Sequence, residues 1–391
     1  MNSIVHSAQR EARRLRQSPW DLAMITWVPL LAVALLWWIF SAGVPHGLPI
    51  GVQDEDHSTL SRQLTRMLDA TPGLHVARPI SGSLEAQAAL RSTDIYAVVV
   101  IPRDFARDVK QGHVGNVTLL HNAQLGTHSG LIQRDVRAAV GTLSAGVELS
   151  ARAKRGESAQ AARVTMDPIH TQLVGLFNVA GNYEQFLATG LIPALLHILA
   201  MTAGAWAVGR ELRDRSLGDW LGQRGQPTRT AGALAGKLLW PWLSLTLVGL
   251  LSLVWLTWGR GWHTSGSIAW VAAALALLVG LSVALGALLA AVTRSLRMAL
   301  SGVGFFSAPA FAFSGVAFPL LAMPASAQAW ALAMPFTHYI ALQTAQLQMG
   351  APIAASASTM AGLLLATVLA LLLCVPLLQA ALGQPQTWGK R

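Results

Sequence analysis

Leu22-Ala23-Met24-Ile25-Thr26-Trp27-Val28-Pro29-Leu30-Leu31-Ala32-Val33-Ala34-Leu35-Leu36-Trp37-Trp38-Ile39-Phe40-Ser41-Ala42-Gly43-Val44 contains no charged side chain. A bilayer core about 30 Å thick is crossed by about 20 helical residues, so this run is long enough to span it. A basic segment precedes it, as in a secretory signal. The run is too long for the apolar part of such a signal, is rich in Trp and lacks a small-x-small cleavage site, so it reads as a retained span. Five further stretches have the same character. The expected spans are 20–43, 186–208, 237–258, 268–292, 298–319 and 358–382.

With six spans, 15 Lys and Arg lie outside the large segment between the first two, and 14 of these fall on one side of the bilayer. They are Arg10, Arg13, Arg14 and Arg16; Arg210, Arg213, Arg215, Arg224, Arg229 and Lys237; Arg294 and Arg297; Lys390 and Arg391. Only Arg260 falls opposite. Short basic loops stay in the cytoplasm, so both termini are expected inside. Trp20, Trp27, Trp37, Trp38, Trp206, Trp240, Trp242, Trp255, Trp258 and Trp388 lie at or near span ends, where an indole prefers the headgroup zone. Pro29, Pro193, Pro241 and Pro309 fall inside spans, and neighbouring helices can satisfy the carbonyls they free.

The 391 residues are 53% hydrophobic and only 12% charged, with formal charge +10. A soluble chain carries about twice that charged fraction. The excess positive charge sits in short loops without interleaved aromatic platforms, which argues for anionic headgroups and against nucleic acid. Cys374 is the only cysteine, so neither an intrachain disulfide nor a cysteine zinc cluster is available.

Residues 1–19 read as a cytoplasmic interfacial helix, with a disordered basic tail as the alternative. Residues 44–185 form the one large polar region. Its expected strands are Leu48–Val52, Leu74–Ala77, Ile95–Ile101 and Val117–His121. Expected helices run from His57-Ser58 to Leu68, Leu84–Leu90, Pro102–Lys110 and Leu125–Arg163, with Ser58 or Thr59 as a cap. The alternation predicts a small α/β domain, placed outside the cytoplasm by the charge pattern. Residues 319–357 are interrupted by Pro319, Pro324, Pro335 and Pro352; they form either a re-entrant segment or a structured outer loop, with short helices Ala325–Leu332 and Tyr339–Leu347.

No catalytic motif stands out: there is no phosphate-cradling G-x-x-x-x-G-K-[ST], no H-E-x-x-H and no Gly-x-Ser-x-Gly. Asp54-Glu55-Asp56 is either a cation site or a solvated strand end. Polar groups within spans are few and costly. His197 either faces a substrate path or bonds a neighbouring helix, and Asn178, Asn182 and Glu184 either line an outer vestibule or form a joint. The loop 209–236 contains Arg210-Glu211-Leu212-Arg213-Asp214-Arg215-Ser216-Leu217-Gly218-Asp219-Trp220-Leu221. Leu217, Trp220 and Leu221 share one helical face. An exposed stripe of this kind fits a partner's groove; the alternative is a helix on the membrane surface with Trp220 among the headgroups.

From this loop the chain resembles the ABC-2 type permeases, membrane subunits of bacterial ABC exporters. The resemblance covers nearly the whole chain. Pro49-Ile50-Gly51-Val52-Gln53-Asp54-Glu55-Asp56-His57-Ser58 and Ala97-Val98-Val99-Val100-Ile101-Pro102-Arg103-Asp104-Phe105 resemble the drug-efflux-like subgroup with a large periplasmic domain. Arg210-Glu211 followed by Arg215-Ser216-Leu217-Gly218-Asp219 resembles the family's coupling segment, with Asp219 where Glu is commoner. Phe313-Ser314-Gly315-Val316-Ala317-Phe318-Pro319, Met323-Pro324 and Met334-Pro335-Phe336-Thr337-His338-Tyr339 resemble its late signatures, with Met334 in place of the usual Asn.

The resemblance implies a six-span α-helical membrane protein of the bacterial inner membrane, with the α/β domain in the periplasm between the first two spans. It implies a separate ATPase subunit that holds ATP and Mg, no cofactor in this chain, a second permease subunit and a periplasmic adaptor. Coupling to the ATPase would fall to Arg210, Glu211, Arg215, Leu217, Asp219, Trp220 and Leu221. Phe313, Phe318, His338 and Tyr339 join Asn178, Asn182, Glu184 and His197 as candidate pathway residues. Glu211→Lys or Trp220→Asp is then expected to uncouple hydrolysis from transport with folding intact. Two rivals are an ion-gradient transporter, which would want acidic residues at mid-membrane, and a non-transporting receptor or scaffold.

Overall fold

A computed structural model describes residues 2–123, 126–154, 178, 182–222, 226–262 and 264–388. The chain divides into two compact units, Met1–Gly43 with Gly175–Arg391, and Val44–Val174. It opens with helices α1 (Asn2–Gln17), α2 (Pro19–Ile25) and α3 (Trp27–Phe40). The expected first span is thus two helices broken at Thr26, three residues before Pro29.

The second unit carries β1 (Leu48–Asp54), α4 (Thr59–Asp69), β2 (Leu74–Pro79), α5 (Ser83–Arg91), β3 (Ala97–Ile101), α6 (Phe105–Lys110), β4 (Thr118–His121) and α7 (Gly126–Lys154). The sheet order is β2-β1-β3-β4; β1 runs parallel to β2 and β3, and β4 runs antiparallel to β3. Ile50, Val52, Val99 and Ile101 pack on Leu64 and Leu68 of α4 and on Ile132 and Val136 of α7. On the opposite face Val98 packs with Ile80, Ile95 and the α5 residues Ala86 and Ala89. A strand buried on both faces explains the unbroken apolar run that revealed β3. Ser58 is the observed cap, accepting from the Ser61 N–H at 3.0 Å. Residues 155–163 of the expected long helix lie outside the described residues.

The first unit resumes with a π-helical turn, Glu184–Ala188, leading into α8 (Thr189–Arg213). Then follow α9 (Leu217–Leu221), α10 (Pro227–Val254), a second π-helical turn at Trp255–Gly259 and α11 (Ile268–Thr293). The chain ends with α12 (Leu296–Ser307), α13 (Ala325–Ala333), α14 (Pro335–Leu347) and α15 (Ala357–Leu382). Among the described residues, five helical stretches are long and apolar enough to cross a membrane: Pro19–Phe40, Glu184–Arg213, Pro227–Gly259, Ile268–Thr293 and Ile353–Leu382.

The stretch 298–319 is not the continuous helix expected. Helix α12 stops at Ser307, and turns continue to Ser314 through bonds such as Phe313 N–H to Pro309 O at 3.1 Å. Pro309 has no N–H for the Phe305 carbonyl, and its ring crowds that carbonyl. Within 319–357, α13 and α14 are longer than expected, and α14 buries Phe336, Tyr339, Ile340 and Leu342. Helix α10 also starts ten residues earlier than the expected span, so the connection after α8 is shorter than 209–236.

Two glycines set the closest helix pair, α8 on α11. A Cβ on Gly204 would strike the Val283 carbonyl, and one on Gly286 would strike that of Met201. Small residues let transmembrane backbones approach and gain dispersion where no water is released. Two of the prolines are answered across helices. Pro29 frees the Ile25 carbonyl, which accepts from Ser244 Oγ on α10. Pro193 frees that of Thr189, which accepts from Gln343 Nε2 on α14 at 2.7 Å.

Candidate functional site

The charged side chains expected to couple the chain to a partner gather around α1, α9 and the adjoining ends of α8 and α10. Glu211, in the last turn of α8, is fully buried. Its Oε1 accepts from Arg10 Nη1 at 3.1 Å, from Lys237 Nζ at 2.7 Å and from Arg14 Nη1. Its Oε2 accepts from Arg10 Nη2 at 3.2 Å and from Ser216 Oγ. Lys237, on α10, also donates to Glu11 Oε2 on α1 at 2.6 Å. One carboxylate thus binds α1, α8, α10 and the turn before α9. Removing one member of such a buried set leaves uncompensated charge, at a cost of about 3–5 kcal/mol.

Arg210 pairs with Asp21 at the start of α2 and reaches Asp214 Oδ2 at 3.4 Å. Asp214 also accepts from Arg213 Nε at 2.8 Å and Arg14 Nη2 at 3.1 Å. Partial burial disfavours the Asp214 anion, but the hydrogen bond from Arg213 and the surrounding guanidinium charges outweigh this and hold its carboxyl below the usual aspartate range.

The apolar face of α9 is not the exposed stripe expected. Leu217, Trp220 and Leu221 are 0%, 7% and 1% exposed, in one cluster with Leu212, Ala233, Leu234 and Leu238. Trp220 Nε1 donates to Ser7 Oγ on α1 at 2.9 Å, and Lys237 Nζ sits 4.9 Å from the centre of its ring. Five residues cannot hold a helix alone, so tertiary packing stabilises it. The headgroup alternative for Trp220 fails with the stripe. Arg213, Asp214, Arg215 and Asp219 remain exposed, a charged surface in place of the apolar one. Arg224, Lys390 and Arg391 lie outside the described residues.

The interfacial helix also proves to be a packed element. A Cβ on Gly236 would strike the Ile4 carbonyl, so α1 lies directly on α10. Ser7 Oγ donates to Ala233 O at 2.7 Å. Arg10, Arg14 and Lys237 entered the sequence reading only as members of a charge pattern, and Glu11 did not enter it at all. The available signal was Lys237 at the edge of an apolar run, where a cation needs a partner.

The candidate pathway residues do not share one lining. Asn178, Asn182 and Glu184 build a joint at the opposite end of the bundle. Asn182 N–H donates to Asn178 Oδ1 at 2.8 Å, and Asn182 Oδ1 accepts from Glu184 N–H at 2.8 Å. Buried Glu184 accepts from Trp37 Nε1 at 2.8 Å and Arg260 Nε at 2.9 Å. His197 is packed between helices, with Nδ1 2.7 Å from Ser282 Oγ and its ring stacked 6.2 Å from Phe336. Tyr339 is buried, its hydroxyl donating to Gln343 Oε1 at 2.6 Å. His338 Nε2 lies 2.8 Å from Leu332 O, and Phe313 and Phe318 are respectively partly and largely exposed. A groove of about 600 Å³ lies beside Ser314-Gly315, lined also by Thr189, Leu320, Ile340 and Gln348.

In the second unit, the Asp54 and Asp56 carboxylates accept backbone N–H groups, and Glu55 Oε1 accepts from Gln53 Nε2 at 2.7 Å. Asp54 Oδ1 accepts the Asp56 and His57 N–H groups, both at 3.0 Å, and Asp56 Oδ2 accepts that of Ala106 at 3.2 Å. Among the described residues no group of three or more His, Cys, Asp and Glu side chains is arranged to hold a metal ion.

Long apolar helices packed through glycines, with buried ion pairs at both ends, define a multi-pass α-helical membrane protein. The family model described as ABC-2 family transporter protein matches residues 19–375, and the chain belongs to that family. It is a permease of the ABC-2 type, a class that associates with an ABC ATPase subunit. Neither a curated protein nor a solved structure matches the chain.

Proposed function

We propose that the chain is the membrane subunit of an ATP-driven exporter. It moves a hydrophobic or amphipathic substrate out of the cytoplasm or the inner leaflet. A separate ATPase subunit binds ATP and Mg, and this chain carries neither catalytic group nor cofactor. Both termini lie inside, six segments cross the inner membrane, and the fifth crossing is α12 with the turns to Ser314. The α/β domain lies in the periplasm, where an adaptor docks, and two permease subunits flank the pathway.

The observation that carries this reading is the Glu211 ion cluster. It clamps α1, α8, α10 and the α9 turn into one block. A force applied to the charged surface of Arg213, Arg215 and Asp219 therefore reaches two long apolar helices at once. Packed elements with two arrangements convert such a displacement into a rocking motion.

The test is purification of the tagged chain from native bacterial membranes, with ATPase activity assayed in lipid. The expected result is a co-purifying nucleotide-binding subunit with vanadate-sensitive turnover. An inactive chain without such a subunit, from well-preserved membranes, would overturn the exporter reading in favour of a receptor or scaffold. Transport lost on collapsing the proton gradient at constant ATP would overturn it in favour of an ion-coupled carrier.

A further inference from the structure

A cavity of about 410 Å³ lies between α1, α2, α8, α10 and α12. That is within the range of drug-sized ligand sites. Its walls are mainly apolar, with Leu15, Met24 and Leu199 among them. Two indoles, Trp20 and Trp206, and two carboxylates, Glu11 and Asp21, complete the chemistry, and no basic side chain lines it. Trp20 and Met24 are also exposed on α2, so that wall faces outward from the bundle.

The two carboxylates differ in what remains open. Asp21 Oδ1 accepts from Trp206 Nε1 at 3.2 Å and Oδ2 is taken by Arg210. Glu11 is 7% exposed, and Lys237 Nζ bonds only its Oε2. Oε1 receives no hydrogen bond among the described residues. Lys237 is moreover shared with Glu211. Oε1 is not sealed among the buried unpartnered atoms, and an accessible carboxylate oxygen without a protein donor accepts most strongly from an ammonium. Cations are numerous nearby, namely Arg10, Arg14, Lys237, Arg210 and Arg213, but none is in the wall. Each lining carboxylate already carries one cation from outside the wall, Lys237 on Glu11 and Arg210 on Asp21, so selection for a further positive charge rests on Glu11 Oε1 and on the ring quadrupoles of the two indoles.

We infer that this cavity binds an amphipathic amine, with its ammonium at Glu11 Oε1 and its apolar body against Leu15, Met24, Leu199 and the indoles. Binding stands on the cavity alone. That such amines are the exported class rests on the exporter reading above.

The test uses the full chain in lipid nanodiscs without any ATPase, and radiolabelled propranolol, a naphthyl ether with a secondary amine. Empty nanodiscs give the lipid background. Saturable binding is expected, at least tenfold weaker for Glu11→Gln and for the neutral diol lacking the amine. Ala203→Phe, which fills the cavity without touching a charge, is expected to abolish it. Equal binding of the neutral diol, or undiminished binding by Ala203→Phe, overturns the inference. Those two comparisons decide it even where Glu11→Gln fails to fold. A missing ATPase partner would show itself in the purification experiment, not here.

Discussion

Arg260 forks onto Glu184, with Nε 2.9 Å from Oε1 and Nη2 3.1 Å from Oε2, while Nη2 also donates to Ser41 O at 2.9 Å. The lone exception to the charge pattern is thus the counter-ion of a buried carboxylate, and it ties the end of α3 to the start of α8.

Arg260→Ala leaves Glu184 buried without its cation. Breaking a buried pair typically costs about 3–5 kcal/mol, and an exposed one about 1 or less. The Arg260 side chain is 37% exposed, which places the expected loss between these, at about 2 kcal/mol. Arg260→Lys is expected to recover less than half, because an ammonium cannot present the planar fork. Thermal unfolding of both variants in detergent checks this.

Glu211→Lys and Trp220→Asp are expected to impair folding, which reverses what the linear sequence suggested. Each places a charge in a buried setting, at several kcal/mol. Arg215→Glu and Asp219→Lys lie on the exposed face and are expected to change stability by less than about 0.5 kcal/mol. They are expected to reduce transport-coupled ATP hydrolysis of the assembled transporter several-fold. Paired melting curves and vanadate-sensitive turnover separate the two classes.

Gln343→Leu deprives the Thr189 carbonyl of its donor and the Tyr339 hydroxyl of its acceptor. A loss of about 1 kcal/mol is expected, in line with buried hydrogen bonds in membrane proteins. Pro193→Ala restores an N–H four residues after Thr189, so the loss from Gln343→Leu is expected to shrink in that background. A double-mutant cycle measures the coupling; strict additivity would refute the pairing of Pro193 with Gln343.

Asp214 titrates below the usual aspartate range in the folded chain. A depressed carboxyl contributes stability above its unfolded value, about 3.9, and loses that contribution as pH falls through the folded value. The stability difference between the protein and Asp214→Asn is therefore expected at pH 7 and to vanish under more acidic conditions. Denaturation at a series of pH values follows it.

Apolar runs and one-sided charge were sufficient to read the membrane class and the order of the long helices, because each signal lies within a single segment. The β-branched run at Val98-Val99-Val100-Ile101 revealed a central strand for the same reason. The break after Ser307 was partly legible in Pro309, but whether a proline kinks or ends a helix depends on its neighbours. The fate of Trp220 was not legible at all. Its hydrogen-bond partner Ser7 lies 213 residues away, and an amphipathic stripe looks the same whether its cover is another chain or another helix of its own. Glu11 and Lys237 pose the same problem across 226 residues.

The backbone N–H of Tyr183 donates to Gly43 O at 2.8 Å. The strand of chain leaving the helical unit and the strand returning to it are therefore stitched together before either reaches the α/β fold. Topologically, Val44–Val174 is an insertion whose two flanking chain positions, Gly43 and Tyr183, are in contact. Its replacement by a few-residue linker would close a gap that the Gly43–Tyr183 contact already brings together, without touching the packing of the helical unit.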